Sequence, residues 1–363
     1  MTPVDLSTTV LHAVRRAVRE DALHAPVPAR VRVERTRPGG RGDYASAVAL
    51  QLAGPAGLHA REVAEILRDR LAGAPGVAGV EITGPGFLNF TLDAATGAAA
   101  HRDLVHRVRE QGERYGHGDT LAGQRPHLVH AREVRAAVTA DAVRRLLAAQ
   151  GAGARLACEG GPDPDWTRLR VSAEAYDMPA GAAGARAEAP IRPVPAGDTA
   201  ADLLARLGPD AARWGLLRPA GHDRAPLGPG LLAQTEANAL FRVRYAHARA
   251  RAVLRGAARL GVAAAGPGED IDTTGATTLL TLLDAHPAVL AAAARHRAPD
   301  RLARHLEAVA AAFFDFHDAA PPLPVGDEKP SAAHRSRTAL AEAAGTVLAG
   351  GLSLLGVSAP EHL

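Results

Sequence analysis

Apolar residues recur every three or four positions through the last third of this chain, which is the spacing of one face of a helix. After Pro299 the steps alternate between four and three, as a buried seam requires. The positions in this seam are Leu302, Leu306, Val309, Phe313 and Phe316. A second long helix, from Ser331 to about Leu355, has the same pattern. Residues 221–363 are therefore predicted to form an all-α helical bundle.

The first hundred residues alternate between the helical pattern and the period-two pattern of strands. Helices are predicted at residues 5–20, 44–53 and 61–71, and strands at residues 31–33, 77–82 and 87–92. Glycine and proline separate these elements. Residues 1–100 are therefore predicted to form an α+β domain.

The middle of the chain, residues 101–220, mixes helices and short apolar pieces with Gly/Ala/Pro-rich loops. Its predicted elements are helices at 101–115, 134–150, 202–207 and 209–217, short strands at 127–130, 155–157 and 169–173, and loops at 160–164 and 179–195. This pattern predicts a reduced α/β region between the two terminal domains.

An arginine-dense helix opens the C-terminal bundle. Between Asn238 and Arg259 one flank is apolar and another is cationic, because its arginines fall within about 80° of one another at 100° per residue. These arginines are Arg244, Arg251, Arg255 and Arg259. Guanidinium groups bind phosphates and stack on bases, so the helix fits an RNA surface. The alternative is a solvated charged face in an arginine-rich protein.

Composition narrows the classes of function. The formal net charge of +3 is too small to indicate nucleic-acid binding by itself. The single cysteine, Cys158, excludes an intrachain disulfide and a thiolate metal cage. His127 and His130 lack a third ligand, so no metal site is predicted. Neither a leader pattern at the N terminus nor an apolar run of about 18 residues is found, which predicts a cytoplasmic protein without a membrane segment.

Four segments at three separated places in the chain carry a family resemblance. The segment from Asn238 to Arg249 is similar to the arginyl-tRNA synthetase signature Asn-Pro-Val-Tyr-Tyr-Val-Gln-Tyr-Ala-His-Ala-Arg, and residues 347–361 are similar to that family's terminal helix. In the N-terminal domain, residues 42–52 and 84–90 match its additional domain. The chain thus resembles class I arginyl-tRNA synthetases, with a DALR-type anticodon-binding domain at residues 221–363.

The resemblance implies tRNA, including tRNA for arginine, as the partner, and an N-terminal domain that contacts the corner of an L-shaped tRNA. By position it places Tyr245, His247 and Arg249 near the anticodon-stem face and Asn238 at the junction with the middle region. From the chemistry of the side chains, we expect the arginines of this helix to contact phosphates and an unpaired base to stack on Phe241 or Tyr245. The predicted binding residues are Asn238, Phe241, Arg242, Arg244, Tyr245, His247, Arg249, Arg251 and Arg255.

The middle region departs from the family. A class I synthetase holds the ATP phosphates with a His-x-Gly-His element at a helix N terminus, where this chain has His130-Ala-Arg-Glu133, and it also needs a lysine-bearing loop. Lys329 is the only lysine and lies within the bundle region. The interval between the helix predicted at residues 134–150 and the C-terminal bundle is also about two hundred residues shorter than in a full synthetase. These departures predict a truncated, Rossmann-like remnant at residues 101–220, without catalytic residues or a cofactor.

The main hypothesis is therefore a tRNA-binding paralogue of arginyl-tRNA synthetase without aminoacylation activity. Two alternatives remain. One is an active arginine–tRNA ligase that uses ATP, and the other is a protein-interaction scaffold in translation with a protein partner in place of tRNA.

Overall fold

The computed structural model describes residues 3–36, 40–158, 160–176 and 190–363. The chain divides into two compact units, Met1–Asp103 and Leu104–Leu363. Unit 1 contains the helices α1 (Pro3–Arg19), α2 (Val48–Ala56) and α3 (Ala60–Leu71) and the strands β1 (Glu34–Arg35), β2 (Tyr44–Ser46), β3 (Val77–Thr83) and β4 (Phe87–Leu92). The strands form one antiparallel sheet in the order β1-β2-β4-β3.

The core of unit 1 lies between the helices and this sheet. Leu6 and Val10 of α1 and Leu67 of α3 are fully buried, as are Leu88 and Phe90 of β4. Leu6, Val10 and Leu67 follow the helical spacing of the helices predicted at residues 5–20 and 61–71, so that spacing was sufficient to identify the buried faces of α1 and α3. In β4, Asn89 is buried between Leu88 and Phe90, so burial does not alternate along the strand.

Two predictions in unit 1 were wrong. Residues 44–46 are a strand rather than the start of a helix, because Tyr44 pairs with Phe90 and Ser46 pairs with Leu88 across β4. The helix begins only at Val48. The strand predicted at residues 31–33 is absent, and the short β1 follows it instead. In both cases pairing with a distant segment decided the local structure.

Unit 2 begins with a small parallel sheet. After α4 (Ala94–Gln111), β5 (His127–His130) pairs in parallel with β6 (Arg155–Cys158), and α5 (Val134–Ala148) connects them. The predicted strand at 169–173 is wrong: short 3₁₀ helices occupy Pro164–Leu169 and Ala173–Ala175, and Arg170 between them has a φ of 62°, which a strand does not adopt. Residues 177–189, most of the predicted 179–195 loop, lie outside the described residues.

Helices make up the rest of unit 2. They are α6 (Ala200–Leu217), α7 (Ala239–Arg259), α8 (Thr277–Arg295), α9 (Pro299–Ala319) and α10 (Ala332–Leu355). Gly208, with φ 70° and ψ 175°, kinks α6 between the two helices that the sequence predicted there. One hydrophobic core runs from Leu104 to Val357. The α+β start and the helical C-terminal region are confirmed, whereas the predicted boundary at residue 220 remains a prediction.

A buried arginine ties the middle of unit 2 together. Arg135, in the first turn of α5, is 1% exposed. Its guanidinium group donates hydrogen bonds to five carbonyl oxygens over distances of 2.6–3.3 Å. The acceptors are the carbonyls of Val194, Leu216, Pro219, Ala220 and Asp223. The segment between α6 and α7 is thereby fixed to α5.

Two helices of unit 2, α8 and α10, are long and apolar enough to cross a membrane by length and composition alone. The apolar window is 83% buried in α10 and 39% buried in α8. The core helix of a soluble protein passes the same test, so this evidence for a membrane segment is weak. The position of α10 in the packed bundle is that of a core helix.

Candidate nucleic-acid interface

The arginine-dense helix predicted from the sequence is α7, and Asn238 caps its N terminus. The Asn238 side-chain oxygen accepts a hydrogen bond from the backbone N–H of Leu240 at 3.1 Å. Its amide group donates to the carbonyls of Leu231 and Ala233 at 2.9 and 2.8 Å. Asn238 is buried, so the structure gives it a positioning role at the start of α7.

An aromatic row crosses from α7 to α9. The rings of Phe241 and Tyr245, one helical turn apart, stack with centroids 5.6 Å apart and an angle of 6° between their planes. Tyr245 also stacks on Phe314 of α9, again at 5.6 Å. Tyr245 is 41% exposed. A partly exposed stack of this kind offers a surface on which an unpaired base can stack.

Arg249 lies one turn after Tyr245 and is exposed. Among the described residues it forms no ion pair or hydrogen bond, so its guanidinium group is available to a phosphate. The half-buried Arg242 leaves its Nε without a hydrogen-bond partner in the same part of the chain. Tyr245 and Arg249 are thus the exposed residues of the predicted set, and Phe241 is half-buried beside Tyr245.

Three further predicted arginines contact other parts of unit 2. Arg251 forms an ion pair with Glu361 at 2.7 Å, and Arg255 lies 3.9 Å from the other oxygen of the same carboxylate. Arg244 lies 3.8 Å from Asp210 and 3.5 Å from the Ser358 hydroxyl. We call residues 358–363 the tail segment. No pattern in the sequence predicted the contact between Arg251 and Glu361, because the two residues are 110 positions apart.

His247 faces the same segment and is buried. Its Nδ1 lies 2.9 Å from the carbonyl oxygen of Pro360 and, since a carbonyl only accepts, Nδ1 carries the proton and donates it. Burial lowers the pKa of His247, against the opposing effect of this hydrogen bond, so the ring is neutral at pH 7. His247 therefore positions the tail segment rather than supplying a charge to RNA.

The N terminus of α5 is the place where the resemblance put ATP phosphates. Glu133 caps this helix: its carboxylate accepts hydrogen bonds from the backbone N–H of Ala136 at 2.8 Å and of Ala196 at 2.9 Å. His130 is fully buried, with Nδ1 2.8 Å from the Ala131 carbonyl and Nε2 2.9 Å from the Tyr176 hydroxyl. A protein carboxylate thus occupies the anion-binding position of the helix.

Two further features considered from the sequence were the single lysine and a possible metal site. Lys329 is exposed in the loop between α9 and α10. Within the described ranges, no group of three or more histidine, cysteine, aspartate or glutamate side chains is placed to hold a metal ion.

A second candidate surface lies on unit 1. A cavity of about 540 Å³ opens on the β-sheet and is lined by Phe87 and Asn89 of β4, with Gln51 and Arg32 nearby. Phe87 is 40% exposed, whereas Asn89 is 6% exposed and donates its amide to the Thr83 hydroxyl at 2.7 Å. The sequence prediction named no residue here. The signal was present in the segment from Gly84 to Phe90, which carried the resemblance.

Two family descriptions match the chain. Residues 5–92 match the arginyl-tRNA synthetase N-terminal domain, and residues 243–363 match the DALR anticodon binding domain. The chain belongs to the arginyl-tRNA synthetase family. Because the DALR region is an anticodon-binding domain, tRNA is the partner of this part of unit 2.

Curated relatives align with this synthetase-family chain along its whole length. It is 29% identical to the arginine–tRNA ligase of Renibacterium salmoninarum and 28% identical to that of Frankia alni, with 100% of each chain covered. The first alignment spans 553 positions and the chain has 363 residues, so at least 190 of those positions have no residue here.

Solved synthetase structures share the fold. The arginyl-tRNA synthetase of Thermus thermophilus gives a TM-score of 0.64 at 14% identity, with 100% of each chain covered. That of Plasmodium falciparum gives 0.63 at 8% identity, with 99% of each chain covered. At such identities the likeness concerns the fold alone.

The hypothesis of a tRNA-binding paralogue without aminoacylation activity is corrected by these comparisons. The relatives that align with the entire chain are named arginine–tRNA ligase, and this supports the alternative of an active ligase. The hypothesis rested on residues absent from the middle region, whereas the relationship extends over both terminal domains and the segment between them. The nine predicted binding residues remain predictions.

Proposed function

We propose that this protein is a cytoplasmic arginine–tRNA ligase that joins arginine to tRNA with the consumption of ATP. The observation that carries the proposal is the alignment of the whole chain with arginine–tRNA ligases. The DALR region and the N-terminal domain support it, because both belong to the same family of enzymes.

The two candidate surfaces fit two parts of a tRNA. On unit 2, the exposed ring of Tyr245 and the available guanidinium group of Arg249 supply a base-stacking surface beside a phosphate ligand. On unit 1, the exposed Phe87 and Gln51 supply a ring and an amide in one cavity, which suits an unpaired base with hydrogen-bonding edges. We assign the anticodon loop to the first surface and the corner of the tRNA to the second.

Arginine contacts to phosphate make the binding dependent on salt. Each phosphate neutralised contributes a slope of roughly 0.7 to 0.9 in a plot of log affinity against log salt concentration. Arg249 contributes one such contact and Arg242 is placed to contribute a second. A tRNA complex held in this way weakens steadily as the salt concentration rises.

A charging assay tests the ligase proposal. Purified full-length protein is incubated with radioactive arginine, ATP and a transcript of tRNA for arginine, and acid-insoluble radioactivity is followed. We expect label to enter this tRNA only when ATP is present, and not to enter an unrelated tRNA. If a known arginine–tRNA ligase charges the same transcript while this protein leaves it unlabelled at every concentration, the proposal is wrong.

A Glu133 variant tests in the same assay whether the ATP phosphates bind at the N terminus of α5. If ATP phosphates bind at the N terminus of α5, the Glu133 carboxylate repels them. Glu133→Gln removes that charge and keeps one of the two acceptor oxygens, so only one of the N–H groups of Ala136 and Ala196 loses its acceptor. We expect the KM for ATP to fall in Glu133→Gln and the KM for tRNA to stay the same. A KM for ATP that does not change would place the ATP phosphates away from this helix.

A further inference from the structure

The tail segment lies along the cationic flank of α7. Glu361 accepts two hydrogen bonds from Arg251 through one carboxylate oxygen, from Nε at 3.1 Å and from Nη2 at 2.7 Å. Its other carboxylate oxygen is 3.9 Å from Arg255, and its backbone carbonyl accepts from Arg255 at 3.3 Å. Glu361 thus contacts both Arg251 and Arg255, two of the arginines that were predicted to bind RNA.

Contacts on the N-terminal side of Glu361 fix the position of the tail segment. The backbone N–H of Ser358 donates to Asp210 at 2.9 Å, and the Ser358 hydroxyl is hydrogen-bonded to the same carboxylate. The carbonyl of Pro360 accepts from His247 at 2.9 Å. Because these contacts involve Ser358 and Pro360, the segment stays anchored when the Glu361 side chain moves.

The ion pair itself is exposed. The side chains of Arg251 and Glu361 are 42% and 53% exposed, respectively. Exposed ion pairs contribute little to stability, so a competing anion can displace the carboxylate at a small cost. A phosphate diester presents two charged oxygens on one centre, as a carboxylate does, and arginine binds both groups through the same fork of donors.

We propose that the Glu361 side chain, carried by the anchored tail segment, is a displaceable cover on the RNA-binding flank of α7, and that its carboxylate holds the place of a tRNA phosphate. This proposal rests on the proposed function, since it needs tRNA as the ligand. With the cover closed, Arg251 and Arg255 are neutralised and only the arginines outside the tail contact are open to phosphates. With the Glu361 side chain displaced, the guanidinium group of Arg251 joins them, whereas Arg255 keeps its hydrogen bond to the Glu361 backbone carbonyl. The flank of α7 thus becomes more cationic only where a polyanion is present.

Binding of a transcript of tRNA for arginine to three variants tests this cover. Glu361→Gln removes the competing charge. Glu269→Gln is the matched control, because Glu269 forms a similarly exposed ion pair with Arg335, neither residue belongs to α7, and its loss changes the net charge equally. Arg251→Gln combined with Glu361→Gln removes the arginine that the cover protects.

We expect Glu361→Gln to bind the transcript about two- to fivefold more tightly at low salt, as the loss of an exposed competing pair allows. We also expect this gain to shrink as the salt concentration rises, because salt screens the exposed ion pair that the unchanged chain has to break. Glu269→Gln should bind like the unchanged chain, and the gain should disappear in the double variant.

Three results would overturn the cover: unchanged or weaker binding by Glu361→Gln, an equal gain in Glu269→Gln, or a gain that survives without Arg251. The ligase proposal is tested separately, by charging with the unchanged chain, so the two can fail independently. Absence of tRNA binding by every variant would overturn both.

Discussion

Asp141 and Arg213 form an ion pair that is closed to solvent, with 2.9 Å between carboxylate and guanidinium and with both side chains fully buried. Arg213 also donates to the carbonyls of Leu355 at 2.9 Å and Leu169 at 2.7 Å. Burial raises the pKa of the Asp141 carboxyl, but the guanidinium groups of Arg213 and Arg145 outweigh it, and the pKa lies below its ordinary value. The pair therefore stays charged and joins α5, α6 and the end of α10.

Removal of one partner should be costly because the other charge stays buried. We expect Asp141→Asn to lower the free energy of unfolding of unit 2 by about 3 to 5 kcal/mol. The measurement is urea unfolding followed by tryptophan fluorescence, since both tryptophans, Trp166 and Trp214, lie in this unit. Asp165→Asn breaks an exposed pair with Arg168 and should cost less than about 1 kcal/mol. Equal losses in the two variants would contradict the assignment.

Two buried histidines should make unit 2 sensitive to acid. The rings of His286 and His305 lie 5.2 Å apart, and burial lowers the pKa of His286 to about 3 and that of His305 to about 4. In the unfolded chain a histidine titrates near pH 6.5. The unfolded state therefore takes up protons that the folded state does not, and stability falls as the pH drops from about 6.5 toward 4, by roughly 1.4 kcal/mol per pH unit for each histidine.

His286→Leu removes one of these groups at similar volume. We expect its loss of stability between pH 7.5 and pH 5 to be about 1.5 to 2 kcal/mol smaller than that of the unchanged chain. Urea unfolding at the two pH values measures it. His222→Leu serves as the control for the loss of a histidine, because the His222 side chain is 86% exposed. An identical pH dependence in His286→Leu would show that this histidine titrates normally in the folded state.

The aromatic row gives a prediction for tRNA binding. Tyr245→Ala removes the exposed ring, and loss of one base stacked on it should weaken binding by about 1 to 3 kcal/mol. Tyr245→Phe keeps the ring and should bind nearly as well as the unchanged chain. Filter retention of tRNA at fixed salt measures both, and circular dichroism checks that the helices remain. Equal binding by the alanine variant would remove Tyr245 from the interface.

Substitutions of the two phenylalanines of β4 should affect different properties of unit 1, one tRNA binding and the other stability. Phe87 is exposed at the cavity, so Phe87→Ala should weaken tRNA binding with a small effect on melting. Phe90 is fully buried, and Phe90→Ala should destabilise the unit by about 3 to 5 kcal/mol. Thermal denaturation by circular dichroism, together with filter retention, distinguishes them. Unaltered tRNA binding by Phe87→Ala would exclude this cavity as a tRNA contact.

The sequence predicted those features that depend on nearby residues. The seam from Leu302 to Phe316 and the flanks of α7 follow from helical spacing, and the structure has both. Features that depend on distant partners were missed. Ser46 lies in a strand because it pairs with Leu88 of β4. Glu361 contacts Arg251 because the end of the helical region folds back along α7. Periodicity within one element carries no information about such pairings.

The five carbonyl contacts of Arg135 bear on how freely one basic residue can replace another in this chain. All of its basic residues except Lys329 are arginine, so exchange for lysine would look conservative at each of them. At position 135 it is not, because an ammonium group has three donors and would leave at least two of those carbonyls without this partner in a buried place. Mutational tolerance at the basic positions should therefore follow burial and donor count rather than charge.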